Sequence, residues 1–264
     1  MAQQAGRAGG INASAEVRAL AHELNVDLTI VTPGGPADEI TPADVRRVHK
    51  ILAEIGPLEP LPAARRSMAN TMTRVRDEVQ HASVSDDAVL AAALPDVSLR
   101  LIRAIAAAVK AEPSLNAWFD ARELGRRVLP KIHLGIEVDT PAGQFVVVLQ
   151  DIAQRSEDSL RKGLEKMKAD TARNAVPAEE LRGYTITLAN LGICGGRYAT
   201  LPVVPPTVAV VAAGRVREQA VARGGKLVAA QVLPLSLTFD HRAVSAGEAA
   251  RFLAALVHDL ELPA

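Results

Sequence analysis

The chain has 264 residues, 48% of them hydrophobic and 23% charged, and its 30 lysines and arginines balance its 30 aspartates and glutamates. This is the composition of a globular protein of one or two domains, and zero net charge argues against a nucleic-acid partner. A single cysteine, Cys194, excludes an internal disulfide and a cysteine metal cluster, so we expect no metal and a reducing, cytoplasmic compartment. No apolar run is long enough to cross a bilayer, so we expect no membrane contact.

The first segments predict a tail and a small domain. Residues 1–11 lack helical or strand periodicity and the apolar segment of a secretory signal, and we expect a flexible tail. Residues 12–55 predict two helices joined by a Gly/Pro loop, and the run at 41–44 is typical of a helix start, with a hydroxyl, a proline and an acid in sequence. Residues 56–60 hold two prolines and predict a linker.

Residues 61–264 alternate helical and strand-like segments, which predicts an α+β domain with a mixed sheet flanked by helices. Helical periodicity is found at 68–79, 96–109, 156–169 and 249–260. Strand-like runs are found at 132–138, 145–150, 185–190, 208–213 and 228–240, with a hairpin loop at 139–143.

The sharpest local feature is a histidine in the run Asp240-His241-Arg242, which lies between an apolar strand and a helix. Side chains at such a junction project into a site while their backbone stays rigid. A lone histidine is more often structural or exposed than functional, so its context decides. Ser245 and Glu248 fit a capping box, in which the serine starts the last helix and has no further role.

The run from Asp240 to Arg242, followed by a helix, resembles the active-site signature of the dihydrolipoamide acyltransferases, the core components of 2-oxo acid dehydrogenase complexes. Further segments extend the similarity over residues 58–262. They are Pro113-Ser114-Leu115-Asn116-Ala117, the run at 135–143, the strand and loop at 185–192, and Pro205-Pro206 before a strand. The run at 135–143 is similar to the family's hairpin Gly-Ile-Ala-Val-Asp-Thr-Pro-x-Gly. The resemblance implies a chloramphenicol acetyltransferase-like fold for residues 61–264.

Residues 12–55 are similar to the peripheral-subunit-binding domain that precedes the catalytic domain in this family. The family's loop reads Gly-x-Gly-Pro-Gly-Gly-Arg-Ile, whereas residues 34–40 place Glu39 at the arginine position. Because basic side chains of this domain dock acidic partner subunits in the family, this reversal should repel the usual partner. No lipoyl domain is recognisable, so the resemblance implies that a lipoyl group acts only in trans.

The family transfers acyl groups between dihydrolipoamide and coenzyme A, so the resemblance implies coenzyme A as a substrate. His241 matches the general base that takes the proton of the attacking thiol. The family's oxyanion donor, a serine before Asn-Leu-Gly, is replaced by Ala189 before Asn190, and a methyl group does not donate. Ser245 stands at the family's Asp or Asn, whose partner is an arginine that Arg65 matches.

The resemblance further implies a homotrimer whose active site lies between two subunits, with the histidine from one and the oxyanion donor from its neighbour. Because no apolar tail follows the last helix, we expect trimers that do not join into a larger core. The first function is a coenzyme A-dependent S-acyltransferase with impaired or altered activity. The alternative is a non-catalytic paralogue that scaffolds or regulates such a complex through another acyltransferase or dehydrogenase-complex subunits. An acyltransferase for another acceptor is a third hypothesis.

Other candidate residues favour structural roles. Cys194 is more typical of a small buried filler than of a nucleophile. His81, near the family's substrate channel, is expected to be exposed. Arg126 and the neighbouring Arg127 are expected on solvated faces, because the net charge is zero.

Overall fold

The computed structural model describes residues 11–56, 59–92, 96–140, 143–173, 175–193 and 195–263. The predictions for the tail, the centre of the linker, the tip of the hairpin loop and Cys194 fall outside these ranges. The chain divides into two compact units between Leu61 and Pro62. Within the described ranges, the helices are all too short or too polar to traverse a membrane.

The small unit contains two helices, α1 (Ala15–Glu23) and α2 (Pro42–Ile55). Ser14 caps α1, since its hydroxyl accepts a hydrogen bond from the amide of the third helical residue. The two helices and the loop between them enclose a small apolar core, which consists of Val17, Ala21, Val26, Val31, Ile40 and Val45.

The predicted start of α2 is confirmed as a full capping box. The Thr41 hydroxyl accepts from the Asp44 amide, and the Asp44 carboxylate accepts from the Thr41 amide at 3.0 Å. The same carboxylate accepts from the Thr41 hydroxyl at 2.7 Å and from the Gly34 amide at 2.9 Å, and pairs with Arg47. The hydrogen bonds from Thr41, then that from Gly34, lower the pKa of Asp44 to about 2. Asp44 therefore joins α2 to the loop that precedes it.

The large unit is built on a seven-stranded sheet in the order β1-β9-β7-β6-β4-β5, with β8 paired to β9. A separate hairpin pairs β2 with β3. The strands are β1 (His81–Val89), β2 (Ala117–Asp120), β3 (Gly125–Val128), β4 (Leu134–Thr140), β5 (Gly143–Leu149), β6 (Ile186–Asn190), β7 (Ala209–Ala213), β8 (Arg217–Arg223) and β9 (Lys226–Asp240). β4, β6 and β7 run parallel and the other neighbours antiparallel, so the predicted mixed sheet is confirmed.

Four helices accompany the sheet: α3 (Ala63–Glu78), α4 (Val97–Ala111), α5 (Glu157–Ala172) and α6 (Ala246–Glu261). Alternate strand residues, such as Leu188 on β6 and Leu235 on β9, join the main core with helix residues such as Phe252. The residues between them, such as Ala189 and Ser236, point to the opposite face of the sheet. The predicted class, α+β with a sheet flanked by helices, is confirmed.

Four strands were not predicted: β1, β2, β3 and β8. β1 and β8 lie beside opposite halves of β9, which runs unbroken for 15 residues. Each of these two strands pairs with β9 along one edge, and many of its side chains are exposed or half-buried. Both strands therefore carry many polar residues. They lack the long apolar runs that predicted the buried strands.

Candidate active site

The turn between β9 and α6 holds His241 on a fixed backbone. The His241 amide donates to the carbonyl of Gln80 at 2.8 Å, which extends the β1–β9 pairing past Asp240. The carbonyl of Asp240 then accepts from the amides of Ala243 and Val244 at 3.0 and 2.9 Å. Backbone hydrogen bonds on both sides of the histidine thus hold the Cα atom of His241 in place.

Asp240 and Arg242 form an ion pair across the histidine. The buried Asp240 carboxylate accepts from the Arg242 amide at 3.1 Å and from its guanidinium at 2.6 and 3.0 Å. The guanidinium also lies 4.8 Å from the ring centre of Phe119 on β2, in cation–π contact. The His241 residue between them is exposed, with its ring 5.7 Å from that of Phe239. This arrangement presents an imidazole for proton transfer on a rigid support.

The predicted capping box at the start of α6 is confirmed. The Ser245 hydroxyl accepts from the Glu248 amide at 3.2 Å, and the Ser245 amide donates to the Glu248 carboxylate at 2.7 Å. The serine hydroxyl is thus engaged with the helix end, as the capping interpretation requires. Ser245 lies four residues after His241, where the resemblance implies an Asp or Asn.

Arg126 on β3 supports the same turn, so its predicted solvated position is wrong. It donates to the Ala243 carbonyl at 2.6 Å and to the Glu248 carboxylate at 3.0 Å. The contact arises because the β2–β3 hairpin packs beside a turn more than 100 residues later in the chain. Burial alone would raise the pKa of Glu248, but the hydrogen bonds from Ser245 and Arg126 outweigh burial and lower it to about 2.

Ala189 and Asn190 lie at the end of β6. Ala189 is buried and pairs with Ala212 on β7. The Asn190 side chain accepts from the Gly192 amide at 3.1 Å and donates to the Ser98 hydroxyl at 3.4 Å, so it holds the loop that follows β6. Asn190 thus has a structural role, and Ala189, at which the resemblance implies an oxyanion donor, carries only a methyl group.

One chain does not bring His241 and Ala189 together. Ala189 on β6 pairs with Ala212 on β7, and Ala212 pairs with Ser236 on β9. His241 lies five residues after Ser236 along the chain. With about 4.8 Å between neighbouring strands and about 3.3 Å per residue, two strand spacings and five residues correspond to about 9.6 and 16.5 Å, which gives a separation of about 19 Å. A site that uses both positions therefore needs a second copy of the chain.

Two other predicted positions lie elsewhere in the large unit. Arg65 is in the first turn of α3, with its side chain exposed. His81 is half-buried at the start of β1, and its Nε2 accepts from the Val203 amide at 2.9 Å. Its predicted exposure is wrong because the segment before β7 crosses this edge of the sheet.

Nowhere among the described residues do three or more His, Cys, Asp or Glu side chains converge as metal ligands would. A cavity of about 610 Å³ is lined by Arg100, Arg103 and Asp259 among others. Asp259 lies near the end of α6 that is far from His241, so this cavity does not surround the histidine.

Sequence comparison places the large unit among acyltransferases. The family model described as 2-oxoacid dehydrogenases acyltransferase (catalytic domain) matches residues 95–264. Dihydrolipoyllysine-residue acetyltransferase components of the pyruvate dehydrogenase complexes of Staphylococcus aureus and Staphylococcus epidermidis are each 28% identical over 203 residues. These matches cover 70% of this chain and 47% of each relative, so the chain spans about half the length of the curated relatives it matches.

Solved structures show the same fold. Azotobacter vinelandii dihydrolipoamide acetyltransferase is 26% identical with a TM-score of 0.73, covering 79% of this chain and 93% of that chain. That structure belongs to a crystallographic and enzymatic investigation of the role of a serine, a histidine and an asparagine in its catalytic mechanism. A probable dihydrolipoamide acetyltransferase from Listeria monocytogenes is 17% identical with a TM-score of 0.72, covering 78% of this chain and 94% of that chain.

Proposed function

The chain belongs to the family of 2-oxoacid dehydrogenase acyltransferases, and on that premise we propose that it transfers acyl groups between coenzyme A and a dihydrolipoyl group. The observation that carries the proposal is His241, an exposed imidazole on a backbone fixed by Gln80 and flanked by the Asp240–Arg242 ion pair. The proposed acceptor or donor is a lipoyl group on another chain. Residues 12–55 are proposed to be a peripheral-subunit-binding-like unit.

Residue spacing supports the role of His241. In the Azotobacter vinelandii enzyme, the serine named for the mechanism lies 52 residues before the histidine, and the asparagine 4 residues after it. In this chain, Ala189 lies 52 residues before His241, and Ser245 lies 4 residues after it. The equal spacings support a correspondence of the three positions, in which the histidine is the one whose residue type is the same.

The proposed reaction is an exchange of thioesters. The sulfur of the incoming thiol forms a bond to the thioester carbonyl carbon, the thiol proton passes to the imidazole of His241, and the carbonyl π pair moves to oxygen. Collapse of this intermediate restores the carbonyl and breaks the bond to the other sulfur. That sulfur leaves as a thiol with the proton from the imidazolium, so the histidine ends in its starting form.

We propose that the working form is a homotrimer with sites between subunits. The separation of about 19 Å between His241 and Ala189 supports this, because one chain does not hold both positions around one thioester. In a trimer, the β6 position of one subunit would face the histidine of the next.

The decisive test is acyl transfer from acetyl-coenzyme A to free dihydrolipoamide by the purified protein. We expect His241→Ala to reduce the rate by about 100- to 10,000-fold, since general-base catalysis contributes that much. His258→Ala is the matched control, because His258 is an exposed histidine near the other end of α6. A wild-type rate no higher than that of His241→Ala would refute the proposed activity.

A second candidate is a non-catalytic paralogue that scaffolds or regulates an acyltransferase complex. Two observations favour it: Ala189 presents a methyl group at the oxyanion position, and the Ser245 hydroxyl accepts the Glu248 amide. This candidate predicts no His241-dependent transfer, together with stable binding to another acyltransferase or a dehydrogenase-complex subunit. Co-sedimentation of the full chain with purified subunits tests the binding, and the transfer assay separates the two candidates.

A further inference from the structure

A short segment of backbone before β7 is tied to the sheet by side chains. Residues 199–203, here called the strap, form neither helix nor strand. Three backbone amides of the strap, at alternate positions, donate to side chains of β9 and β1. The pairs are Ala199 with Ser236 Oγ and Leu201 with Thr238 Oγ1, both at 3.2 Å, and Val203 with His81 Nε2 at 2.9 Å.

The three acceptors form a row on the face of the sheet opposite the main core. Ser236 and Thr238 are two residues apart on β9, and both are buried. His81 on β1 is paired with Asp240, which is the next β9 residue on that face. The strap therefore runs along β9 in step with it. Because a buried amide without a partner is costly, each acceptor in the row stabilises the strap.

The contact with Val203 defines the protonation of His81. A backbone amide only donates, so the Nε2 atom that accepts from it carries no proton, and the proton of the neutral ring is on Nδ1. An imidazolium would present a donor to this amide and lose the bond. The role of His81 in the strap is thus that of an acceptor.

The end of the strap leads to the hairpin that supports the His241 turn. Three residues after Val203, the Pro206 carbonyl accepts from the amide of Phe119 on β2 at 2.8 Å. The ring of Phe119 lies 4.8 Å from the guanidinium carbon of Arg242, the residue that follows His241. The strap thus holds β2 from one side, and β2 contacts the His241 turn from the other.

His81 is also next to the backbone contact of His241 itself. The His241 amide donates to the carbonyl of Gln80, the residue before His81. The backbone of His81 is therefore fixed beside the turn, while its side chain holds the end of the strap. One residue connects both supports of the proposed catalytic histidine.

We propose that His81, with its proton on Nδ1, is a positioning residue for His241. The inference rests on the proposed transferase function and adds to it a residue that acts through the strap and β2 without touching the substrate. Without the bond to Val203, the end of the strap and the β2 contact behind Arg242 would be less well held. The imidazole of His241 would then be displaced from the position in which it takes the thiol proton.

Two variants at position 81 test this role by acyl-transfer kinetics. His81→Leu removes the acceptor, and we expect kcat to fall about 10-fold, since a displacement of about 1 Å costs a catalytic group up to about 100-fold. KM should change little, because the lost contact is within the protein. His81→Gln should keep most of the rate, since its side-chain oxygen accepts from an amide as Nε2 does.

Ser236→Ala is the matched control. It removes the acceptor at the other end of the strap, farther along the chain from Pro206, and also a hydrogen bond from the Ser85 hydroxyl at 3.1 Å. The stability lost should therefore be at least as large as in His81→Leu. If His81 positions the catalytic turn, the loss of kcat in Ser236→Ala should nevertheless be smaller, at about 2-fold or less.

Amide hydrogen exchange in the full chain measures the strap directly. In peptides that contain Val203, exchange should be about 2- to 10-fold faster in His81→Leu than in wild type, as expected for the loss of one hydrogen bond. His81→Gln should exchange like the wild type. Sedimentation of each variant shows whether the assembly is unchanged.

The outcomes separate this inference from the proposed function. A His241-dependent rate that His81→Leu leaves unchanged overturns the role of His81 and leaves the transferase intact. Equal losses of kcat in His81→Leu and Ser236→Ala do the same, and so does a folded His81→Gln that is as slow as His81→Leu. A wild type no faster than His241→Ala overturns both proposals together.

Discussion

Each unit of the chain has a capping box, among its described residues, that joins a helix to a segment of proposed functional importance. Thr41 and Asp44 start α2, Ser245 and Glu248 start α6, and both carboxylates have a pKa of about 2. They differ in their additional partner. Asp44 binds the amide of Gly34, only 10 residues earlier, whereas Glu248 binds Arg126, 122 residues away. The same local pattern therefore fixes a neighbouring loop in one unit and a tertiary contact in the other.

The difference has a consequence for function. In the small unit, the box holds the loop that contains Glu39, where the proposed resemblance to a peripheral-subunit-binding domain implies an arginine. In the large unit, it joins β3 to the turn that carries His241, through Arg126 and the Ala243 carbonyl. The first contact is local and should matter mainly for stability. The second positions a proposed catalytic side chain and should matter for rate.

Among the contacts of the two capping boxes, the largest effect should come from breaking the long-range one. Arg126→Ala removes the donors to both Ala243 and Glu248, and we expect kcat for acyl transfer to fall about 10- to 100-fold, because small displacements of a catalytic group are costly. KM should change little, since the two contacts of the arginine are with the Ala243 carbonyl and the Glu248 carboxylate of the protein itself. Arg127→Ala is the matched control, because Arg127 is the exposed neighbour on the same strand.

Arg126→Lys sharpens the same test. A lysine keeps the charge but lacks the planar fork that reaches a carbonyl and a carboxylate at once, so we expect a partial loss of rate. Equal kcat values for wild type and Arg126→Ala, in a protein of unchanged assembly, would show that the turn does not depend on this contact.

An intermediate effect should appear when both boxes lose their hydroxyl. Thr41→Ala and Ser245→Ala should each cost about 1 kcal/mol of the stability of their own unit. A loss of this size lowers the Tm by about 4–8 °C in a domain of 60–100 residues and by about 2–4 °C in one of 150–250. Since the units are residues 1–61 and 62–264, Thr41→Ala should give the larger shift. Scanning calorimetry measures both, and equal shifts in a single transition would mean that the units unfold together.

The local half of each box was predictable from the sequence and the distant half was not. Ser245 and Glu248 were predictable as a capping box because a cap and its acid lie three residues apart. Thr41 and Asp44 were predictable as a helix start from a hydroxyl, a proline and an acid near the positive helix end. The buried strands of the large unit were recognised from runs of apolar residues, as at 208–213. Spacing along the chain carries no information about which hairpin packs against which turn, so Arg126 was placed on a solvated face.

Strand register escaped prediction for the same reason. β4 pairs in parallel with β6, although about 50 residues and a helix separate the two strands along the chain. Apolar runs predict that both segments are strands, but they do not give the order of the strands in the sheet.

The smallest effect expected is a difference between the units in acid. Each carboxylate has a lower pKa when folded than its ordinary value, 3.8 for Asp44 and 4.5 for Glu248, so each stabilises the folded state above that value. The stabilisation disappears as pH falls towards 2, and the loss begins at a slightly higher pH for Glu248. Tm values between pH 5 and 2 for wild type, Asp44→Asn and Glu248→Gln isolate each contribution from those of other carboxyl groups. If the Asp44 contribution disappeared at a higher pH than that of Glu248, the Gly34 and Thr41 donors would be weaker than their geometry indicates.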